Sequence, residues 1–302
     1  MLIENPTTPL TEIDDPIIRK SNLKLFLKRE DLIHLHISGN KWYKLKYNLT
    51  EAKKCGYKKL LTFGGAYSNH IYATASAGKE FGFETIGVIR GEEHLPLNPT
   101  LSFAKLCGME FYYLSRTLYR NKYDEKILSE LKDEFGDFYL IPEGGSNYLA
   151  VKGCSEIISG IQIPFDFICT ASGTGGTLAG LALGLNSKSK AIGFSVLKGG
   201  GFLRDNVKNL LSHFRKENSD DWDIITDYHF GGYARTNSEL NNFCLEFYKQ
   251  NKIEIEPIYT GKMLWGVFDL IHKNYFPENS TIIALHSGGL QGLNGLRERR
   301  KI

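Results

Sequence analysis

The chain predicts an α/β fold built on parallel sheets. Short apolar runs of strand type alternate with helical segments along most of its length. In the first half, helix after helix stops at a glycine, the residue that closes a helix by turning left-handed. The rhythm runs once to about residue 146 and starts again, at larger scale, beyond it. Parallel strands joined by helices on the sheet faces produce this pattern.

Taken in order, residues 1–22 hold Pro6, Pro9 and Pro16 and read as an irregular lead-in. Residues 23–28 alternate apolar and polar, predicting a strand that Arg29, Glu30 and Asp31 end. Ser38-Gly39-Asn40-Lys41 is then a polar elbow of helix-capping residues. After it Trp42, Leu45, Leu49 and Ala52 recur at three- and four-residue steps, which makes one apolar helical face. Strands follow at 59–63, 85–89, 110–114 and 138–141. Helices at 68–81, 101–106 and 123–135 close on Gly82, Gly108 and Gly136. The second half predicts helices at 148–161, 178–185, 202–214, 238–249 and 263–272, and strands at 166–169, 191–197, 224–225 and 281–285. A length of 302 residues suggests about two domains. Segment 44–146 reads as a smaller α/β domain inserted into a larger one made of 1–43 and 147–302.

Composition narrows the function classes. The chain is 42% hydrophobic and 24% charged, ordinary for a soluble globular protein. Net charge is only +3. The lysine pairs at 53–54 and 58–59 and the short basic tail at 297–301 make no continuous basic face, so nucleic acid is not an expected partner. The five cysteines are odd in number and form no C-x-x-C pair. Cys169, in an apolar run, reads as a buried hydrophobe. A reducing, cytoplasmic setting is therefore expected. The first residues lack the basic and apolar regions of a signal peptide, and no run is long enough to span a membrane. No H-E-x-x-H occurs, and His34-x-His36 lacks a third ligand, so no metal is expected.

Six stretches can carry chemistry. Lys41 falls in the first turn of its helix, near orphan N–H groups and the positive end of the dipole. An amine there binds its proton less tightly, and a neutral amine is a nucleophile. The alternative is a solvated lysine among Lys44, Lys46, Lys53 and Lys54. Ser172-Gly173-Thr174-Gly175-Gly176-Thr177 joins a strand to a helix. Glycines let an anion approach backbone there, with hydroxyls and the helix N–H groups as donors. It is no Walker loop, and Leu178 stands where a G-x-G-x-x-G fingerprint needs its third glycine. Without a ligand it would be a plain glycine-rich turn. At 64–70 a second strand-to-helix elbow places Ser68 as N-cap, with Asn69 and His70 after it. Such a nest suits a carboxylate or simply caps its helix. Tyr233 and Tyr259 end strands or stand in loops, where phenols act as acids, bases or donors. Ser287 follows the last strand, at the sheet edge where parallel folds bind ligands. A G-x-S-x-G elbow is missing, and the S-x-x-K at Ser76 to Lys79 lacks its companion motifs.

A nucleophilic lysine, a phosphate cup, a carboxylate nest and two tyrosines fit pyridoxal phosphate acting on an amino acid. The pieces Lys28-Arg29-Glu30-Asp31, Ser38-Gly39-Asn40-Lys41, Ser68-Asn69-His70, Ser172 to Thr177, Tyr259-Thr260-Gly261-Lys262 and His286-Ser287-Gly288-Gly289 resemble, in order, the 1-aminocyclopropane-1-carboxylate deaminase and D-cysteine desulfhydrase family. That family belongs to the tryptophan-synthase-β-like, fold-type-II enzymes, and the resemblance implies two parallel-sheet domains with the cofactor in the cleft between them. It implies that Lys41 holds the cofactor and later moves the Cα proton, and that Asn69 touches the cofactor's 3′-oxygen. Residues 173–177 bind phosphate, and Ser68 with the backbone at Asn69 and His70 takes the substrate carboxylate. Tyr233 and Tyr259 flank the substrate, and a homodimer is expected. The deaminase branch carries a glutamate after the second tyrosine, facing the pyridine nitrogen. This chain has Thr260 there, and its Ser287 matches the hydroxyl that serves the desulfhydrase branch. The expectation is thus β-elimination from D-cysteine, with cyclopropane deamination as the alternative and a non-catalytic anion-binding protein as a remote one.

Overall fold

In the computed structural model the described residues are 4–186, 188–216 and 219–298. Part of the terminal readings falls outside them: the first three residues, and Arg299, Arg300 and Lys301 of the basic tail. The chain runs β1 (Leu10–Glu12), α1 (Pro16–Lys20), β2 (Lys24–Lys28), α2 (Asn40–Lys54), β3 (Lys59–Gly65), α3 (Asn69–Phe81), β4 (Glu84–Arg90), α4 (Pro99–Leu106), β5 (Glu110–Leu114), α5 (Arg116–Arg120), α6 (Glu125–Phe135) and β6 (Tyr139–Ile141). It continues with α7 (Tyr148–Ser159), β7 (Phe167–Ser172), α8 (Gly176–Gly184), β8 (Lys190–Ser195), α9 (Leu203–Ser212), β9 (Trp222–Ile225), α10 (Ser238–Asn251), α11 (Thr260–His272), β10 (Thr281–Leu285) and α12 (Gly292–Glu298).

Among the described residues two sheets form, of six strands (β1-β2-β10-β7-β8-β9) and four (β5-β4-β3-β6). Every pairing is parallel except β1 on β2. Residues 10–12 and 16–20, read as irregular from their prolines, therefore form a strand and a helix. Asp15 caps α1 by accepting from Ile17 N–H, and Pro16 occupies the first helical position, where its missing N–H costs nothing. A three-residue edge strand is too short to show a periodicity.

The six-stranded sheet is buried on both faces. Ile168, Ala191 and Ile283 pack under α2, α7, α8 and α9, whereas their neighbours Cys169, Ile192 and Ala284 face α10 and α11. Strand alternation puts adjacent residues on opposite faces, so a doubly covered strand reads as a continuous apolar run. The smaller sheet repeats this, with Leu61, Phe63 and Val88 on the α5–α6 side and Ile89 with α3 and α4 opposite. Register aligns the strand ends. Ser172 of β7 pairs with Ser195 of β8, and Leu285 of β10 with Lys28 of β2. The loops after β2, β7 and β10 thus leave one edge together.

Candidate active site

The elbow at residue 39 is a tertiary junction. Gly39 is the N-cap of α2 at φ +66°, and a Cβ there would stand 1.8 Å from the Ser287 carbonyl oxygen. Only glycine fits both the dihedral and the space. No side chain caps this helix, although Ser38 and Asn40 are capping types. Instead Asn40 N–H donates to the Ser287 carbonyl (3.3 Å), and Gly39 N–H to the Glu30 carbonyl (2.9 Å). Glu30 is itself fully buried, accepting from the hydroxyls of Thr8 (2.8 Å) and Tyr43 (3.0 Å), with Lys28 Nζ 3.5 Å away. The Lys28 to Asp31 stretch thus anchors the elbow.

Lys41 is only partly exposed, and its Nζ donates to Asn40 Oδ1 at 3.3 Å. Burial, then the charge of Lys44, lowers its pKa to about 7. The sequence argument from helix position expected a lowered pKa; burial is the cause the structure shows first. Lys44 and Lys46 are not solvated neighbours: each is 2% exposed. Lys46 pairs with Glu156. Lys44, three residues beyond Lys41, donates to the Gly144 carbonyl and Ser146 Oγ, both at 3.1 Å.

The cup of residues 173–177 lies next to this pair. Gly175 (φ +85°) is the N-cap of α8 and carries no side chain to occupy the helix's orphan N–H groups. A Cβ on Gly176 would approach Ser146 Oγ to 2.7 Å and Lys44 Nζ to 3.2 Å. Ser146 Oγ is 2.6 Å from Thr174 Oγ1, and Asn40 Nδ2 donates to Thr177 Oγ1 at 2.8 Å. The lysine elbow and the cup, more than a hundred residues apart in sequence, are hydrogen-bonded to each other. Ser172 differs from the rest. It ends β7, is 2% exposed, and turns its hydroxyl over Gly193, where it finds no partner.

The smaller sheet supplies the opposite wall. Ser68 caps α3, its Oγ accepting from His70 N–H (3.2 Å) and Ile71 N–H (3.3 Å). Asn69 Oδ1 accepts from Gln291 Nε2, and Gln291 Oε1 from the Thr100 hydroxyl (2.9 Å). The His70 ring points inward. Thr62 spends its one proton on the Ile141 carbonyl, so His70 Nε2 must be the donor of their 2.8 Å bond. Its Nδ1 has no partner, and burial followed by the charges of Lys41 and Lys44 holds the ring neutral.

Tyr259 lies beside the cup, where a Cβ on Gly173 would come within 3.4 Å of its ring. Its ring meets that of Tyr233 edge-on at 5.8 Å. Burial raises the Tyr259 pKa well above the ordinary phenol value. Thr260 is fully buried with an unpartnered hydroxyl. His286 donates from Nε2 to the Glu254 carbonyl (2.8 Å) and accepts Gly288 N–H at Nδ1 (3.3 Å), which shapes the loop carrying Ser287.

Sequence reasoning missed Lys44 and Gln291. Lys44 shares a helix face with Lys41 at the i, i+3 step, a signal that was present. Gln291 gave none. The residues fit pyridoxal phosphate: a lysine whose pKa is lowered to about 7, and a helix start without a side-chain cap beside a second, buried lysine.

A family model described as "Pyridoxal-phosphate dependent enzyme" matches residues 4–288. A Pyrococcus horikoshii protein, provisionally named a 1-aminocyclopropane-1-carboxylate deaminase, is 33% identical over 94% of this chain and 90% of its own length. The Arabidopsis thaliana protein named "Bifunctional D-cysteine desulfhydrase/1-aminocyclopropane-1-carboxylate deaminase, mitochondrial" is 30% identical over 95% of this chain and 79% of its own. A crystal structure described as an ACC deaminase homologue superposes with TM-score 0.86 at 30% identity, covering 99% of this chain and 94% of that one. O-ureido-L-serine synthase, at 15% identity and TM-score 0.73 over 98% and 92% of the two chains, shares the fold. The chain is a pyridoxal-phosphate-dependent enzyme of fold type II and belongs to the 1-aminocyclopropane-1-carboxylate deaminase and D-cysteine desulfhydrase family.

Proposed function

We propose that the enzyme is a D-cysteine desulfhydrase, releasing pyruvate, ammonia and sulfide. The observation that carries this reading is Thr260: a fully buried hydroxyl, not a carboxylate, follows the second tyrosine. Ser287, against the Lys41 elbow, is the hydroxyl we assign to the pyridine nitrogen. Bound pyridoxal phosphate supplies the electron sink for the bond broken at Cα. A carboxylate partner would keep its ring nitrogen protonated and the sink strong. β-Elimination needs less, because the leaving sulfur carries electrons away.

The remaining roles follow from the chain's own groups. Lys41 would hold the cofactor and would take the Cα proton at Nζ, and a pKa of about 7 suits that exchange. Lys44 and the open N–H groups of α8 hold the phosphate. Ser68 and the Asn69 N–H orient the substrate carboxylate. Tyr259 and Tyr233 stay protonated and flank the substrate as donors. We take residues 44–146 as the smaller domain, closing this wall of the cleft against the domain of 1–43 and 147–302, and the active unit as a homodimer.

Incubation of the purified protein with D-cysteine is expected to give pyruvate and sulfide in equal amounts, and a visible absorption band that Lys41→Ala removes. A protein that carries the cofactor but yields neither product overturns the reading. The names of the relatives favour a second one, 1-aminocyclopropane-1-carboxylate deaminase. Release of 2-oxobutyrate from that substrate, faster than pyruvate from D-cysteine, would establish it instead.

A further inference from the structure

We propose that Glu256 and Lys262 are positioning residues of the tyrosine pair: a buried carboxylate sets Tyr259, a buried ammonium sets the loop of Tyr233, and together they hold the two phenols against each other. The inference rests on the reading of Tyr233 and Tyr259 as the residues that flank the substrate.

Both side chains are charged types with no exposed surface, 0% each. Helix α11 begins after Tyr259, which offers no side-chain cap. The cap comes from upstream. Glu256 Oε2 accepts N–H from Ile258 (2.6 Å) and Tyr259 (2.9 Å), and Oε1 accepts from Thr260 (2.8 Å). The Glu256 carbonyl accepts Gly261 N–H at 2.8 Å. One residue thereby satisfies four consecutive donors around Tyr259, whose φ of −125° and ψ of −74° lie off the helix. Lys262, one turn in, sends two of its three protons away from its own helix. They go to the carbonyls of His229 (2.9 Å) and Gly232 (2.8 Å). Gly232, at φ +120°, immediately precedes Tyr233. His229 Nδ1 also accepts Gly231 N–H at 2.9 Å, which closes the turn.

Stability alone does not call for this arrangement. A serine or aspartate at the N-cap would satisfy a helix start without a buried charge. Charges withdrawn from water cost free energy that apolar replacements often avoid. The two groups face each other's field, with Cys244 packed at Gly261 and the two tyrosines as the other ionisable neighbours. What the pair provides is reach: hydrogen bonds to the backbone of both tyrosine-bearing segments.

The test uses the holoenzyme. In Lys262→Met, amide hydrogen exchange over residues 229–235 is expected to rise about tenfold or more, with β3 and β4 unchanged. In Glu256→Gln, which keeps one acceptor, the rise is expected at residues 258–260. Exchange that stays unchanged in these segments, or rises equally everywhere, overturns the proposal. Kinetics adds a second readout through a double-mutant cycle. Lys262→Met should lower kcat/KM for D-cysteine about tenfold in the native background and less than about twofold with Tyr233→Phe. Equal losses in both backgrounds overturn it. Should Lys262→Met fail to fold, the same cycle is run with Glu256→Gln and Tyr259→Phe. A protein inactive on every amino acid offered defeats the functional reading, while the exchange map still decides the positioning.

Discussion

Lys41 draws its reactivity from what surrounds it. Burial lowers its pKa to about 7, and Lys44 adds repulsion. A lysine whose folded pKa is depressed is neutral above that value, and the neutral form attacks an aldehyde. Capture of pyridoxal phosphate by the cofactor-free protein should therefore speed up as pH rises through about 7, and level off above it. Stopped-flow absorbance checks this, and a profile rising only near 10 would contradict it. Between pH 7 and the ordinary lysine value the unfolded chain binds the extra proton, so Lys41 makes the cofactor-free protein more stable as pH rises through that window. Gly39 is the second residue on which the site depends. Gly39→Ala meets the Ser287 carbonyl at 1.8 Å and an unfavourable φ of +66°. We expect a loss of about 1–3 kcal/mol or more, seen as a lower urea midpoint, together with weaker cofactor retention.

Helices α2, α7 and α8 form the block on which the elbow and the cup are mounted. They approach closely because small residues line their crossings. A Cβ on Gly153 of α7 would stand 1.9 Å from the Tyr43 carbonyl of α2, and one on Gly180 of α8 2.2 Å from Cys154 Cβ. The glycines cost local helix propensity and gain close backbone approach. Gly153→Ala should push α2 from α7 and cost about 1–3 kcal/mol by overpacking. Because α2 carries Lys41 and Lys44 past the cup, the same change should weaken cofactor affinity. Unaltered affinity, measured by titrating the visible band, would show that the spacing of α2 and α7 is irrelevant to the site. The Glu256 and Lys262 pair does for the tyrosines what this helix block does for the lysines.

At the scale of the molecule the site exists only where the two sheets meet. Thr174, in the loop after β7, meets Ser146, in the turn after β6, and Gln291 spans from Asn69 to Thr100. On the proposed reading, which reaction runs there depends on groups brought in from the far end of the chain, Thr260 and Ser287. Thr260→Glu places a carboxylate where the deaminase branch has one, at a position already fully buried. The expected outcome is a D-cysteine kcat/KM lower by about tenfold or more, with any gain on the cyclopropane amino acid read as 2-oxobutyrate. An unchanged rate on D-cysteine would remove Thr260 as the determinant of reaction choice.

The α/β alternation, the apolar stripe from Trp42 to Ala52, the glycine-rich cup and Lys41 were legible because each is a local pattern. Strand period, helix period and turn chemistry are written in neighbouring residues. The burial of Lys44 and Lys46 was not, since two lysines on a helix look solvated until α7 and the 144–146 turn cover them. Nor was the inward turn of the Ser172 hydroxyl, the bridge of Gln291 or the capping reach of Glu256. Each depends on partners between two and more than two hundred residues away, or on which strand face a side chain takes. By itself the sequence determined the fold class and the chemistry that a cofactor with an aldehyde and a phosphate requires. Tertiary structure alone decided which charges lose their water, and that loss brings the Lys41 pKa down to about 7.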